Sequence, residues 1–543
     1  MTFLSHHGSS RRLVGLCYWL LILLHPLAGQ HPYQMTMGEK TTGGDIQSMI
    51  LTTLGETARG YHFLTATTIQ DSYDKLTIET FNRELNRTRK ILLPEYVQRI
   101  AHQNLLTAWQ YQGRMYLIYL PERSDGIRAI SCNLEDSLPV FTKTILESRG
   151  LAMRNRLYTP TEPRKEEYQP LVATSPDTSK IILHYFTTEK ADDTKITLAN
   201  TLVLDAQLEV IWQRAVSHYI AEDQSRQTIS DVTDMSITPL ASASFNRLQF
   251  VDIAVDNDGN GHIVSVHTAE GLGNRQLWYA YLPAATHEVR LQLLDNIQEW
   301  HERPLIGISP QGMAWIAAGY WADHEGGLYT VCLKRDVIVS QSKQPFKSDK
   351  PDTKSSNPRK APYYGYKYAA RRVIFHENGD ALLLCISVPP LGGLYDYSQM
   401  FTDAFYLQPE GTLRWHISSG NARLINGFNP LGITLIDGNE IHLILEISIP
   451  YVNDREPFLN PKAMVAQAPH HRTHGLYSWV LDTEGNERKY IIAQDMVLDG
   501  LQRSPCYMPQ SLFRTRDGSY IVAQGNFGVA IKTYYQLVRI SVN

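Results

Sequence analysis

Three histidines within five residues, His470, His471 and His474, form the densest group of histidines in the chain. Imidazoles at such spacing bind zinc or copper when a carboxylate or cysteine completes the site, and Asp454 and Glu456 of the same segment could do so. Without a regular element beneath them, such histidines are more often solvated loop residues. We therefore assign no metal or other cofactor and keep the three histidines as metal candidates.

Aromatic rings beside charged groups suggest a second kind of chemistry, which is stacking on sugar rings or docking of an acidic partner. The candidate binding residues are Tyr320, Trp321, Asp323 and His324; Tyr363, Tyr364, Tyr366 and Lys367; Tyr395, Asp396 and Tyr397; and Asp454 and Glu456. The alternative is that these tyrosines pack on the rim of the fold, beside a lysine- and proline-rich segment that is partly disordered.

Four of these residues, Asp323, Asp396, Asp454 and Glu456, could pair as the carboxylates of a glycosidase. Such enzymes hold two carboxyl groups about 5–5.5 Å or 6.5–9.5 Å apart. The chain has no G-x-S-x-G elbow, no H-E-x-x-H helix and no phosphate-binding glycine loop. We therefore name no catalytic residue and expect a binding protein, with a carbohydrate-active hydrolase as the alternative.

The segment "DNDGNG" carries Asp256, Asp258 and Asn260 in the first half of a calcium-loop pattern. Position twelve of that pattern is His267, where a calcium loop needs a bidentate glutamate. The sequence therefore favours a tight turn here.

The same phrase returns along the chain: a polar turn with glycine, then a short apolar run. Examples are "VDNDGNGHIVSV", "FHENGDALLLCIS" and "RTRDGSYIVAQG". Each predicts a hairpin, and each is followed by a second hairpin such as "DAFYLQPEGTLRWHI". Four antiparallel strands, A to D, repeated about every sixty residues are typical of an all-β fold, the β-propeller. A row of separate β-sandwiches is the alternative.

Counting these units predicts eight four-stranded blades. The last unit ends at "YYQLVRISVN" with nothing left for its D strand, and an open edge invites aggregation. We expect "PYQMTMGE" (32–39) to supply that strand, so that the last blade, about 508–543, is closed by the amino-terminal segment. Seven blades, with 40–100 as a cap, is the alternative.

In such a meander, A–B and C–D turns share one face, whereas B–C and D–A connections share the other. The long insertions fall in the second class, at 147–169, 217–247, 341–369, 389–402 and 450–474. Because long loops on a rigid scaffold are where binding groups concentrate, we expect the site on that face.

Residues 1–29 read as a signal peptide, with Arg11 and Arg12 before the apolar run 13–24 and cleavage expected after Gly29. No later apolar run predicts a membrane span. A net charge of −4 does not suggest nucleic-acid binding. Cys332 and Cys385 lie in apolar runs and are expected to be buried free thiols.

The chain resembles bacterial β-propeller proteins over nearly all of 32–543, and its expected mature start at Gln30 resembles exported proteins of the Bacteroidota. This resemblance implies one propeller domain, 30–543, in the periplasm or at the cell surface. We expect a monomer whose partner is an envelope protein or a glycan.

Overall fold

The computed structural model describes most of the chain outside the long connections. The described residues are 32–42, 47–69, 72–97, 100–101, 105–121, 126–135, 141–147, 170–191, 194–215, 248–268, 275–297, 299–300, 304–322, 325–345, 367–376, 378–388, 401–418, 433–448, 474–496, 506–526 and 534–542. Most of them are in β-strands. Within these ranges, no helix has the length and apolarity needed to cross a membrane.

Two short strands open the chain and four antiparallel sheets follow. The first two strands are β1 (Tyr33–Met37) and β2 (Thr41–Thr42). Blade 1 is β3 (Gln47–Thr57), β4 (Gly60–Ile69), β5 (Ser72–Phe81) and β6 (Arg87–Leu92), followed by a 3-10 turn (Glu95–Val97) and β7 (Ile100–Ala101), which pairs with β5. Blade 2 is β8 (Leu105–Tyr111), β9 (Arg114–Tyr119), β10 (Gly126–Asn133) and β11 (Phe141–Glu147). Blade 3 is β12 (Leu171–Thr174), β13 (Lys180–Ala191), β14 (Thr194–Asp205) and β15 (Val210–Ala215). Blade 4 is β16 (Leu248–Val255), β17 (Gly261–Thr268), β18 (Arg275–Leu282) and β19 (Arg290–Ile297).

Four more sheets have the same strand order. Blade 5 is preceded by β20 (Glu299–Trp300) and consists of β21 (Leu305–Ile308), β22 (Met313–Ala322), β23 (Glu325–Lys334) and β24 (Val337–Pro345). Blade 6 is β25 (Lys367–Phe375), β26 (Ala381–Val388), β27 (Phe401–Leu407) and β28 (Leu413–Ser418). Blade 7 is β29 (Ile433–Asp437), β30 (Glu440–Ser448), β31 (His474–Asp482) and β32 (Glu487–Met496). Blade 8 is β33 (Cys506–Arg514), β34 (Tyr520–Asn526) and β35 (Tyr534–Val542), with β1 as its fourth strand.

Apolar clusters join each blade to both neighbours, and eight such clusters complete a ring. The cluster between blades 8 and 1, for instance, packs Phe63 and Phe81 against Ile521 and Leu537. The chain is therefore an eight-bladed β-propeller, as predicted. The alternative in which 40–100 caps a seven-bladed ring is wrong, because β3 to β6 form a complete blade.

The glycine-containing phrases form one repeated turn. In the last blade the Gly518 N–H donates to the Thr515 carbonyl at 3.0 Å, and the Thr515 N–H donates to the Ser519 carbonyl at 2.8 Å. Gly518 has φ +86°, the left-handed conformation that closes such a hairpin. Leu85 and Leu208 occupy the equivalent position with φ 64° and 65°, although neither is glycine.

The segment "DNDGNG" is one of these turns, as the sequence favours. The Asp256 carboxylate accepts backbone N–H groups of Asp258 at 3.0 Å and Asn260 at 2.8 Å, so it closes the turn itself. Among the described residues, no group of three histidine, cysteine or acidic side chains is arranged to hold a metal ion.

The amino-terminal strand closes the last blade. β1 pairs antiparallel with β35, from Tyr33 opposite Val542 to Met37 opposite Val538. The Tyr33 hydroxyl reaches blade 7, where it bonds His442 Nδ1 at 2.6 Å and the Ser478 hydroxyl. β1 thus completes the edge of blade 8 and contacts the preceding blade as well, which confirms the predicted closure.

The two faces of the ring differ in their connections. The A–B turns of all blades and the C–D turns of blades 1 to 7, between two and seven residues long, form what we call the turn face. The B–C and D–A connections start and end at the opposite strand ends, which we call the loop face. Every connection longer than seven residues belongs to the loop face, for example 148–170, 216–247 and 449–473.

The thiols Cys132, Cys332 and Cys385 are free and buried in the packing between blades, as expected for the last two. Burial raises the pKa of Cys132 to about 11 and that of Cys332 to about 12. Such thiols are poor nucleophiles at neutral pH, so these three have a packing role.

Tyr33→Phe should lower the free energy of unfolding by about 1–3 kcal/mol, because it leaves the buried polar atoms of His442 and Ser478 without their partner. Urea denaturation followed by tryptophan fluorescence measures this change. Gln34→Ala, on the exposed side of the same strand, is the matched control and should change little. Equal effects of the two substitutions would contradict the proposed anchoring by Tyr33.

Two glycine substitutions should separate backbone strain from crowding. Gly518→Ala meets open space, so only the left-handed backbone should cost stability, by about 1 kcal/mol. Gly411 has φ +91°, and a Cβ there also collides with the Ser340 side chain, so Gly411→Ala should cost at least about 1 kcal/mol more. Denaturant midpoints of both variants measure the difference, and equal midpoints would rule out the crowding at Gly411.

Candidate functional site

Most residues chosen from the sequence lie outside the described residues. These are Asp323, His324, Tyr363, Tyr364, Tyr366, Tyr395, Asp396, Tyr397, Asp454, Glu456, His470 and His471. The other four lie in strands, next to or near loop-face connections: Tyr320 and Trp321 in β22, Lys367 in β25 and His474 in β31. A binding role for this set stays a prediction.

Tyr320 is the one member of the set whose side chain is described. It is 7% exposed and belongs to the cluster between blades 4 and 5, with its ring against Gly327. In this structure the ring therefore serves packing, and little of its surface is open to a ligand.

The first strand of each blade is its inner strand, nearest the ring axis. Several inner strands have irregular pairing, as do the outer C–D pairs of blades 1 to 7. Register shifts interrupt the pairing of β3, β8, β16, β25 and β33, whereas β12, β21 and β29 pair regularly. The largest shift separates Met508 from Phe513 in β33. Bulges redirect side chains and are enriched next to functional sites, and only those of the inner strands lie around the ring axis, so we take the described inner strands as the candidate site.

The bulge in β33 is held by side-chain hydrogen bonds. The Ser511 hydroxyl accepts the Ala523 N–H at 2.7 Å and donates to the Met508 carbonyl at 2.5 Å. Next to it, the Gln510 amide donates across the blade boundary to the Ile50 carbonyl at 3.1 Å. The bulge therefore has a fixed shape and ties the inner strand of blade 8 to that of blade 1.

Asp252 is a charged group in the middle of an inner strand. It lies opposite Val264, whose side chain packs between blades 4 and 5, so Asp252 faces blade 5. Its carboxylate accepts the backbone N–H of Ile306 at 3.0 Å, in the next inner strand. This acid therefore links two blades through their inner strands.

Strand β25 has a bulge between Ala370 and Arg372, and two consecutive arginines lie there. Arg371 is the inserted residue and its side chain is exposed. Arg372 is opposite Leu384 and half-buried, and burial lowers the pKa of its guanidinium. The middle of the β25 inner strand is therefore cationic, while that of β16 is anionic.

Buried histidines form a separate polar set that sequence reasoning missed. His62 bonds Thr57 at 2.8 Å and Thr80 at 3.0 Å, His184 bonds Thr201 at 3.0 Å, and His262 bonds Tyr279 at 2.7 Å. All three are fully buried in second strands of blades. The signal in the sequence is one histidine within each apolar run, as in "GYHFL" and "GHIVSV", and their hydrogen bonds make them structural groups.

The inner strands also lack the carboxylate pair of a glycosidase, as far as they are described. Asp252 is the one acid in the middle of such a strand, because Glu56 and Asp437 lie at turn-face ends. What these strands can do is hold a polar or charged ligand, with an arginine pair on blade 6 and an acid on blade 4, two blades away.

No protein-family model matches the chain, and no curated protein matches it. Solved structures similar to it include a polysaccharide lyase, Uly1, with a TM-score of 0.37 and 9% identity over 93% of this chain and 99% of that one. The Dos1 propeller has a TM-score of 0.40 and 9% identity over 93% and 94% of the two chains. An acylaminoacyl peptidase of Pyrococcus horikoshii has a TM-score of 0.35 and 10% identity over 91% of this chain and 58% of that one. At such values these similarities carry no argument about function.

Stability should fall as the pH falls from about 6.5 to about 4. Burial, with Arg89 and Arg59 adding to it, lowers the pKa of His62 to about 4, so between these values the unfolded chain binds a proton that the folded chain does not. At 1.36 kcal/mol per pH unit, His62 alone accounts for roughly 3 kcal/mol of loss. His62→Gln keeps polar atoms there without titrating.

Denaturant unfolding of both proteins at pH 7 and pH 4.5 measures this contribution. The wild-type protein should lose more stability between the two pH values than His62→Gln does. An equal loss in the two proteins would show that His62 does not contribute to the pH dependence.

Proposed function

We propose that this protein is an exported, non-catalytic propeller that binds a protein or glycan ligand on its loop face. The observation that carries the proposal is that long and short connections lie on opposite faces of the ring. All those longer than seven residues join strand ends on the loop face, while the turn face has only tight turns. Long loops on a rigid scaffold are the usual place for binding groups.

The scaffold beneath the loop face is rigid, and this supports the proposal. The middle strands of each blade are buried between neighbouring blades, as in the cluster of Leu382, Leu384, Ile441 and Leu443. A ring closed by β1 holds the loop ends at fixed separations. A ligand that contacts several connections then binds with little loss of conformational freedom in the scaffold.

The composition of the loop-face segments supports a ligand with hydroxyl groups or acidic groups. The connection 346–366 has lysines and the tyrosines Tyr363, Tyr364 and Tyr366, and the strand after it starts with Lys367. Aromatic faces suit sugar rings, and lysines suit carboxylates. Export, by removal of residues 1–29, would bring this face to envelope proteins and glycans of the periplasm or cell surface.

A carbohydrate-active hydrolase on the same face is the second candidate. It needs two acids from Asp323, Asp396, Asp454 and Glu456 to approach each other above the ring. Release of reducing ends from an envelope polysaccharide, lost in Asp396→Asn, would favour it over simple binding.

Replacing 346–366 with a short glycine–serine linker should weaken ligand capture at least tenfold. The replacement leaves β24 and β25 whole, since these strands end at Pro345 and start at Lys367. Capture of glycans on an array and of proteins from an envelope extract measures the change, with equal thermal stability of the variant checked by calorimetry.

The matched control changes the turn face instead. Arg59→Ala with Glu84→Ala removes two exposed charges from turns of blade 1 and should leave capture unchanged. If the loop replacement retains full capture while the turn-face variant loses it, the ligand binds the turn face and the proposal is wrong.

A further inference from the structure

Arg372 lies at the boundary between blades 6 and 7, near the ring axis. It pairs with Leu384, and two residues further along the strand Ile374 pairs with Leu382. Leu382, Leu384 and Ile374 all belong to the cluster between blades 6 and 7. Since opposite residues and alternate residues of strands share a face, the Arg372 side chain is on the face of blade 6 that meets blade 7.

Thr434 lies on the inner strand of blade 7, across the same boundary. Its neighbours Ile433 and Leu435 pack toward blade 8, so Thr434 faces blade 6. It pairs with Leu443, as Arg372 pairs with Leu384, and both leucines belong to the cluster between the blades. A guanidinium and a hydroxyl therefore lie on the two facing sides of one blade boundary.

Neither group has a partner within the described residues. The Thr434 hydroxyl oxygen is buried without a hydrogen bond, and its residue is 7% exposed. Burial lowers the pKa of Arg372, and no described carboxylate acts against this. A half-buried cation and a buried hydroxyl without partners both cost free energy, which a suitable ligand would recover.

The boundary between blades 4 and 5 is a useful comparison, because an inner strand there also has a charged side chain, that of Asp252. There the Asp252 carboxylate accepts the N–H of Ile306 at 3.0 Å, so the protein itself supplies the partner. Between blades 6 and 7 the described residues supply donors, the guanidinium and the hydroxyl, with no acceptor for them.

We propose that Arg372 and Thr434 form a binding site for an oxyanion, a carboxylate, sulfate or phosphate group, between the inner strands of blades 6 and 7. A guanidinium donates paired N–H groups to two oxygens of such an anion, and the threonine hydroxyl donates a third hydrogen bond. The site does not rest on the function proposed for the loop face, since both residues lie on inner strands.

Binding of sodium sulfate, sodium phosphate and sodium acetate to the full chain tests the site, each compared with sodium chloride at equal ionic strength. At least one of the three should raise the melting temperature of the wild-type protein in a saturable way. The anion that does so tells a tetrahedral oxyanion from a carboxylate. Arg372→Gln should weaken the binding measured by calorimetry at least about tenfold, and Thr434→Val about fivefold.

Arg514→Gln is the matched control, because it removes an exposed arginine from the inner strand of blade 8 and should leave anion binding unchanged. Ligand-free Arg372→Gln should melt at or above the temperature of the wild-type protein, since it removes an unpaired charge from a half-buried place. The proposal is overturned if no anion stabilises the wild-type protein beyond chloride, or if Arg372→Gln binds as the wild-type protein does. It is also overturned if ligand-free Arg372→Gln melts well below the control, which would mean that Arg372 is paired within the protein.

Discussion

The pairing of β1 with β35 is the interaction on which the ring depends. Without it, the last strand of blade 8 would present unpaired backbone groups, and the boundary between blades 7 and 8 would lose the Tyr33 ring that packs there. Because β1 is contributed by the start of the chain and β35 by its end, the ring closes only when both ends are in place. The eight blade boundaries form one closed ring, so the contacts of β1 at blades 7 and 8 hold the whole ring together.

A closed ring separates the chain into parts that obey different rules. On the turn face, each connection is short enough for one set of hydrogen bonds to determine it, as for Thr515, Gly518 and Ser519. On the loop face, connections such as 216–247 are long enough to vary without disturbing a strand. The propeller thus has short connections on one face and all connections longer than seven residues on the other.

Much of this fold could be predicted from the sequence because glycine and proline mark many of its turns. Glycine at 379 and 518 and proline at 176 mark hairpins, and the alternation in 32–39 marks a strand without a partner. Leu85 and Leu208 take the same left-handed turn without glycine, so those turns carry weaker signals. The segment "PEYVQRIAHQN" has a helical period, yet its described residues form a 3-10 turn and the short strand β7, and Val97 packs into the cluster between blades 1 and 2.

The candidate site was predictable to a smaller degree, for a physical reason. Sequence spacing shows which residues are near each other along a strand, but not which of them face each other across a blade boundary. "YAARRVIF" therefore gives no sign that Arg372 faces the same blade boundary as Thr434, some sixty residues later, or that Arg371 is displaced by a bulge.

Charged side chains lie on inner strands at two blade boundaries, Asp252 between blades 4 and 5 and Arg372 between blades 6 and 7. Apolar residues at such inner-strand positions are enough to pack two blades together, as Ile306 does on blade 5. Asp252 departs from that pattern and is compensated by a backbone N–H, whereas Arg372 departs from it with no acceptor in the described part of the ring. An uncompensated cation weakens the boundary that holds it, and a rigid ring lets that boundary persist because seven others are intact. The closed architecture therefore lets this boundary hold an unpaired cation, which is the feature on which the proposed anion site depends.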